Sequence, residues 1–185
     1  MQVIVPVAGM GTRVRPLTHA IPKVLLPVGG RRAIDFLLDE IAQLSPTRIV
    51  FIVRHLGDEI RRYVDGLGLA AETVFIEQEE CLGLGHAVWL ARDVIRPEEP
   101  VAIVLGDTVF EGDIRVLATS PANVIMVKEV PDPRRFGVVE LALELGELGF
   151  EEAEGGFGFG RAVFDVLADV GVEDFVEDEA DLAGV

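Results

Sequence analysis

The sequence QVIVPVAGMGTRVRPLTHAIPKVLLPV, residues 2–28, sets the architecture of the chain. Gln2–Val7 is a short run of β-branched and apolar residues, which predicts a buried strand. This run leads directly into Ala8–Arg13, where two closely spaced glycines predict a turn. Glycines after a strand let backbone amides approach a phosphate closely, so the turn is a candidate ligand loop.

Strands and helices are predicted to alternate along the chain through about residue 105. The strands are continuous apolar runs, which indicates an α/β fold: a mostly parallel sheet with helices on both faces. Ligands bind at the carboxyl ends of such strands, so loops 8–16, 78–85 and 106–113 are expected to face one site. The predicted strands are Gln2–Val7, Arg48–Val53, Thr73–Gln78, Val101–Leu105, Asn123–Val130 and Phe136–Leu141, and the predicted helices are Arg32–Leu44, Asp58–Leu67 and Gly85–Ile95.

The loop after the first strand carries positive charge as well as glycine. Arg13 and Arg15 present fixed guanidinium groups, and Lys23 adds a point charge. Together with Gly9 and Gly11, these cations predict that the loop binds a polyanion. The alternative is a structural turn with solvated arginines, which fits a bare glycine pair better than a loop stiffened by three prolines.

Two common phosphate-binding motifs are excluded by their spacing. The P-loop of nucleotidases requires Gly-Lys-Ser/Thr after a second glycine, and the sequence has none. The dinucleotide motif GxGxxG requires a glycine where Val14 stands.

The stretch GMGTRVRPLTHAIPKVLLPV, residues 9–28, resembles the signature of the sugar-1-phosphate nucleotidylyltransferases, also called sugar-nucleotide pyrophosphorylases. GLGHAV at 83–88 is most similar to the bacterial UTP–glucose-1-phosphate uridylyltransferases, with the glucose-1-phosphate thymidylyltransferases close behind. The resemblance covers roughly residues 1–140. It implies a Rossmann-like sheet of the nucleotide-diphospho-sugar transferase type.

The resemblance also implies a triphosphate site in the first loop. Ala8, Gly9, Gly11 and Thr12 would hold the nucleotide, with backbone amides around the phosphates. Arg13 would bind the nucleotide and stabilise the departing β- and γ-phosphates, and Lys23 would act on the α-phosphate or on pyrophosphate. Arg13 and Lys23 are therefore predicted catalytic residues.

A second loop is implied to bind the base. The Gln78 amide offers both a donor and an acceptor, which match O4 and N3–H of uracil or thymine. Gly83 would let its backbone lie against the base. The alternative is a solvent-exposed strand-end glutamine followed by a glycine pair at a helix entry. No role is assigned to His86.

Asp107 is the predicted third catalytic residue and the metal ligand. It ends the segment Leu105-Gly106-Asp107, which resembles the strand end where the family holds Mg²⁺. A carboxylate at this place can bind a hard cation that also contacts phosphate oxygens. A turn or capping role is the alternative for Asp107. Thr108 stands where the family often has Asn.

The implied reaction is Mg²⁺-dependent in-line transfer of a nucleotidyl group. A sugar 1-phosphate, with glucose 1-phosphate the first candidate, attacks the α-phosphorus of UTP or dTTP and releases pyrophosphate. The alternative is a non-catalytic nucleotide-binding or regulatory domain derived from the family. Intact Arg13, Lys23 and Asp107 favour the enzyme.

Charge divides the chain into two parts. The net charge is −16, yet residues 140–185 hold 14 acidic residues and one basic residue, Arg161. We predict a nucleotide-binding catalytic core over 1–140 and a biased acidic segment over 141–185, the remnant of a sugar-binding half that is shortened or divergent. The Glu-Lys-Pro segment that family members carry there is missing.

Composition limits the remaining classes of function. An acidic chain without a basic stripe disfavours nucleic-acid binding, and no apolar run is long enough to span a membrane. The amino terminus lacks a basic signal-peptide region, and Cys81 stands alone, so we expect a cytoplasmic protein. The oligomeric state stays open, with a homo-oligomer as one option.

Overall fold

The structure is a computed structural model that describes residues 1–9, 11, 16–80, 82–108 and 112–127, and the backbone of 162–165. Six strands form one sheet in the order β5-β4-β1-β6-β8-β7, and every pair in it is parallel. The strands of this sheet are β1 (Gln2–Pro6), β4 (Arg48–Val53), β5 (Glu72–Glu77), β6 (Val101–Ile103), β7 (Ile125–Met126) and β8 (Ala162–Asp165).

The remaining elements connect these strands. A two-stranded antiparallel ribbon is formed by β2 (Pro27–Val28) and β3 (Arg31–Arg32). The helices are α1 (Ala33–Gln43), α2 (Gly57–Leu67), α3 (Gly83–Leu90) and α4 (Val116–Thr119), and short 3-10 turns lie at Leu17–His19, Lys23–Leu25 and Ala91–Asp93. Within the described ranges, no helix is long and apolar enough to cross a membrane.

Helices cover both faces of the sheet because alternate residues of each strand point to opposite sides. Val3 and Val5 of β1 belong to the same buried cluster as the apolar side chains of α1 and α2. Ile4, between them, packs into a second cluster with Ala87 of α3. The α/β sheet predicted from continuous apolar runs is therefore confirmed.

Element boundaries differ most from expectation at α3 and in the carboxyl-terminal part. The helix predicted over Gly85–Ile95 begins at Gly83 and gives way to a 3-10 turn after Leu90. The strand predicted over Asn123–Val130 is found as Ile125–Met126, and Phe136–Leu141 lies outside the described residues. The domain boundary predicted at residue 140 also lies outside them. In the segment beyond it, β8 pairs with both β6 and β7.

Strand order places a switch point beside β1. The chain runs from β1 outward to β4 and β5, and then returns to add β6 on the opposite side of β1. The helix that follows β1, α1, packs on one face of the sheet, and the helix that precedes β6, α3, packs on the other, so a crevice is expected at the carboxyl ends of β1 and β6. This is where parallel α/β sheets bind ligands.

A buried glutamine fastens the amino-terminal end of β1. The Gln2 side chain is fully buried, and its amide makes two hydrogen bonds to the backbone of Arg96. Nε2 donates to the Arg96 carbonyl at 2.9 Å, and the Arg96 N–H donates to Oε1 at 3.0 Å. The side chain thus satisfies backbone groups that face β1 but lie outside any strand.

We expect Gln2→Met to lower the free energy of unfolding by about 1–3 kcal/mol, because it keeps the volume of the side chain but leaves both Arg96 backbone groups unpaired. For a chain of this size, each kcal/mol corresponds to a fall in Tm of about 2–4 °C. Thermal unfolding followed by circular dichroism measures the change. Gln43→Met is the control, because Gln43 is exposed and its side chain bonds to the Glu40 side chain at the surface; equal Tm shifts in both variants would contradict the role of Gln2.

Candidate functional site

Three of the predicted loops begin at one edge of the sheet. Backbone hydrogen bonds continue the pairing of β5, β4, β1 and β6 past their assigned carboxyl ends. These bonds run from the N–H of Gln78 to the Val53 carbonyl (2.8 Å), from Val7 to Ile52 (2.8 Å) and from Gly106 to Pro6 (3.1 Å). The first residues of loops 8–16, 78–85 and 106–113 therefore share the carboxyl edge, as the parallel arrangement requires.

An ion pair joins the loop after β1 to the loop after β6. Lys23 Nζ lies 2.6 Å from Asp107 Oδ2, although 84 residues separate the two positions. Both side chains are partly open to solvent, at 40% and 32% exposure. Two of the three predicted catalytic residues are thus in direct contact. Arg13, the third, lies outside the described residues.

Lys23 is held by its neighbours in the chain. It begins the 3-10 turn Lys23–Leu25, in which Val24 and Leu25 are buried in the main apolar cluster. The turn is closed by hydrogen bonds from Leu25 N–H to the Pro22 carbonyl and from Leu26 N–H to the Lys23 carbonyl. The backbone at Lys23 is therefore anchored while its ammonium group projects toward Asp107.

Gly11 occupies a position that only glycine fits. Its φ is +59°, and a Cβ there would lie 2.8 Å from Thr18 Cγ2 and 3.2 Å from Lys23 Cβ. The hydroxyl of buried Thr18 donates to the Gly11 carbonyl at 2.8 Å. Gly9, in contrast, has open space around it. Of the other predicted nucleotide-binding residues, Ala8 stands between the end of β1 and Gly9. Thr12 lies outside the described residues.

Gly106 places Asp107 against the end of β1. A Cβ at Gly106 would overlap the Val7 side chain and lie 2.9 Å from the Pro6 carbonyl oxygen. The absence of a side chain therefore allows the two loops to approach closely, with Asp107 at their junction.

We expect Gly106→Ala to destabilise the protein by about 1–3 kcal/mol, because an added methyl group must displace Val7 or the backbone of β1. The corresponding fall in Tm is several degrees, at about 2–4 °C per kcal/mol. Gly66→Ala is the matched control: Gly66 lies in α2 with no atom near its Cβ position, so alanine there should leave Tm unchanged or raise it. A Gly106→Ala variant as stable as wild type would refute the tight junction.

Gln78 is buried rather than solvent-exposed, at 4% exposure. Its Nε2 lies 3.2 Å from the Gly83 carbonyl oxygen and 3.3 Å from His86 Nδ1. Gly83 has a φ of +82° and begins α3, so the left-handed turn aims its carbonyl at the glutamine. The two predicted base-binding residues are therefore in contact.

His86 is the residue of this site to which the sequence assigned no role. Its position three residues after Gly83 on α3 places both residues on the side of the helix that faces Gln78. This spacing points to a role for His86 only once the fold shows that Gln78 is its partner.

The oxygen donors near Asp107 suit a magnesium ion whose coordination is completed by substrate. Within the described residues, no group of three or more His, Cys, Asp or Glu side chains is placed to hold a metal. Asp107 supplies one carboxylate, and next to it the buried Thr108 Oγ1 has no hydrogen-bond partner among the described residues. Magnesium is commonly held by one or two carboxylates together with phosphate oxygens and water, so Asp107 fits this mode.

A family model and the similar proteins all point to the same family. Residues 2–152 match the model of the family described as nucleotidyl transferase. The glucose-1-phosphate thymidylyltransferase of Streptomyces griseus is 35% identical over 158 residues, or 82% of this chain. The bifunctional protein GlmU of Cupriavidus metallidurans is 33% identical over 143 residues, or 74% of this chain.

The fold is shared with a solved structure from the same group. The UTP-bound UGPase of Acinetobacter baumannii superposes with a TM-score of 0.60 at 26% identity, covering 80% of this chain and 64% of that one. The chain spans 44% of the length of the Streptomyces protein and 30% of GlmU. Because the family model covers most of its residues, and the relatives agree with the resemblance seen at 9–28 and 83–88, the chain belongs to the nucleotidyl transferase family.

Proposed function

We propose that the chain transfers a nucleotidyl group from UTP or dTTP to a sugar 1-phosphate and releases pyrophosphate. The observation that carries this proposal is the Lys23–Asp107 pair at the switch point between β1 and β6, beside the glycine turn. The pair sets a phosphate-binding cation and a metal-binding carboxylate in contact, at the edge where such sheets bind ligands.

The phosphates would lie along the loop after β1. The side chain of Lys23 is 40% exposed, so a phosphate oxygen can reach its ammonium group and replace the Asp107 carboxylate as its partner. Gly11 keeps the backbone free of side-chain bulk at this place, and Arg13 is proposed to add a second cation on the leaving pyrophosphate. Four or more negative charges meet in this reaction, so neutralising them is the main catalytic task.

Asp107 would hold the magnesium ion when Lys23 moves to the phosphates. A bound magnesium ion would withdraw charge from the α-phosphate and so favour attack on it. Asp107 supplies the anchoring carboxylate, and Lys23 holds that carboxylate in place before the substrate binds.

The base would lie at the other end of the crevice, against Gln78 and Gly83. Three strand spacings of about 4.8 Å separate Gln78, after β5, from Asp107, after β6, so the two ends of the site lie roughly 14 Å apart. This distance separates base recognition from phosphate chemistry. The UTP bound to the Acinetobacter UGPase and the thymidylyltransferase name of the Streptomyces relative support a uracil or thymine nucleotide.

The reaction needs no nucleophile from the protein. A phosphate oxygen of the sugar 1-phosphate forms a bond to the α-phosphorus, while the bond from that phosphorus to the oxygen bridging the β-phosphate breaks. Pyrophosphate leaves with the electron pair of that bond. The protein contributes position and charge, which can supply a large part of the barrier reduction in such transfers. The name of the Streptomyces relative makes glucose 1-phosphate the first sugar phosphate to test.

The test is incubation of the chain with Mg²⁺, glucose 1-phosphate and each of UTP, dTTP, CTP, ATP and GTP in turn. We expect pyrophosphate and a nucleotide sugar with UTP or dTTP, and none when Mg²⁺ is chelated. Binding of UTP or dTTP without pyrophosphate, across a panel of sugar 1-phosphates, would instead support the non-catalytic nucleotide-binding alternative.

The two-part organisation is part of this proposal. Residues 1–140 would supply the nucleotide site, and 141–185 the remnant of the sugar-binding half. The pairing of β8 with β6, the strand that leads to Asp107, supports this arrangement.

A further inference from the structure

The orientation of the Gln78 amide is determined by its two partners. The Gly83 carbonyl oxygen can only accept a hydrogen bond, so the atom 3.2 Å away must be the amide nitrogen and not the amide oxygen. The same nitrogen lies 3.3 Å from His86 Nδ1. Both hydrogens of Nε2 are therefore used within the protein. Oε1 is the atom of this amide that can still bond to a ligand.

This arrangement also determines the tautomer of His86. Because Nε2 of Gln78 donates, Nδ1 of His86 must accept, so the ring carries its proton on its own Nε2. The ring is held in place from behind. It stacks on Trp89 with 6.2 Å between ring centroids and 23° between planes, and the Arg92 guanidinium lies 3.4 Å from the Trp89 ring centroid.

We propose that His86 is a positioning residue for base selection: it holds the Gln78 amide so that Oε1 faces the base. The proposal rests on the proposed function, in which Gln78 contacts the base. An outward oxygen accepts from the N3–H of uracil or thymine. Cytosine presents a lone pair at N3, which opposes the same oxygen. A site in which a buried polar atom faces the wrong partner rejects that ligand strongly.

Loss of the His86 acceptor would leave the Gly83 carbonyl as the remaining one of the two described partners that hold Nε2 inward, so the amide would turn over more readily. With Nε2 outward, Gln78 would donate to cytosine N3 and lose its match to uracil. The expected change is therefore specific. A variant without the acceptor binds CTP more tightly relative to UTP, whereas general damage to the site would weaken the binding of both nucleotides alike.

The experiment compares His86→Phe with His86→Asn by calorimetric titration of UTP, dTTP and CTP. Phe keeps a ring against Trp89 but has no acceptor, and Asn can place an oxygen where Nδ1 stands. We expect wild type and His86→Asn to prefer UTP or dTTP over CTP, and His86→Phe to lose about tenfold or more of that preference. His55→Phe, at an exposed histidine with no assigned role, is the control and should keep it.

An unchanged preference in folded His86→Phe, or equal binding of all three nucleotides by wild type, would overturn the proposal. If His86→Phe does not fold, ¹⁵N chemical shifts of the wild-type histidine rings decide the matter, with His19 and His55 assigned by substitution. The proton must be on Nε2 of His86, and a proton on Nδ1 overturns the proposal. A wild-type chain that discriminates between bases but releases no pyrophosphate refutes only the proposed reaction.

Discussion

Replacing Asp107 with Asn is expected to lower the turnover number by about 10²-fold or more, while triphosphate binding in the absence of magnesium stays the same or becomes stronger. Asn keeps the shape of the side chain but loses the charge that would anchor a metal ion. It also releases Lys23 from the partner that lies 2.6 Å away. A freed ammonium group, with one fewer negative charge beside it, should bind metal-free UTP about two- to fivefold more tightly.

Turnover is expected to fall while metal-free binding of the triphosphate does not, and this combination distinguishes loss of a metal ligand from general damage to the site. Turnover is measured as pyrophosphate release over a magnesium titration, and affinity by calorimetry with a chelator present. Asp113→Asn is the control, because Asp113 pairs with Arg115 on the same loop and has no assigned role. If Asp107→Asn weakened metal-free binding, Asp107 would be organising the loop rather than competing with phosphate. Wild-type turnover would remove Asp107 from the reaction.

The fold could be predicted from sequence because its strands are short, continuous apolar runs. In β1, Val3, Ile4 and Val5 are all buried, yet they pack into two different clusters on opposite faces. Burial on both faces gives an apolar run instead of alternation, and this pattern predicts a covered parallel sheet. The strand at Arg48–Val53 was predicted to the residue because both of its ends coincide with a change to polar or turn residues.

The early end of α3 could not be predicted, because distant residues determine it. The backbone of Arg96 bonds to the Gln2 side chain, and the Arg48 guanidinium donates to the Val94 carbonyl. These bonds fix the backbone of Val94 and Arg96 just after the 3-10 turn. Tertiary partners from β1 and β4 therefore override the apolar spacing that favours helix up to that point.

The site was predictable in composition but not in its contacts. The sequence places Lys23 and Asp107 in loops that must meet, yet only the fold shows that they neutralise each other. Gln78 was predicted to offer a donor and an acceptor. The contacts to Gly83 and His86 use both of its N–H groups, which leaves the acceptor. Such hydrogen bonds depend on the left-handed turn at Gly83, which spacing alone does not reveal.

Replacing Lys23 with Met is expected to lower kcat/KM by about 10²–10³-fold, because it removes a preorganised cation from the phosphates. Unlike Asp107→Asn, it should also weaken metal-free triphosphate binding, by about tenfold or more, since a charged hydrogen bond is lost. Met keeps the length of the aliphatic stem, and the turn is anchored by buried Val24 and Leu25, so the fold should be retained.

The measurement that separates charge from shape is the salt dependence of metal-free UTP binding. Wild-type affinity should fall as ionic strength rises, and the Lys23→Met variant should show a smaller fall because one cation no longer contributes. Arg31→Met is the matched control: Arg31 also pairs with a carboxylate, Asp39, at 2.7 Å, but it has no assigned role in the site. A loss of turnover in Lys23→Met without any change in metal-free affinity or its salt dependence would mean that Lys23 acts only after binding, on the departing pyrophosphate.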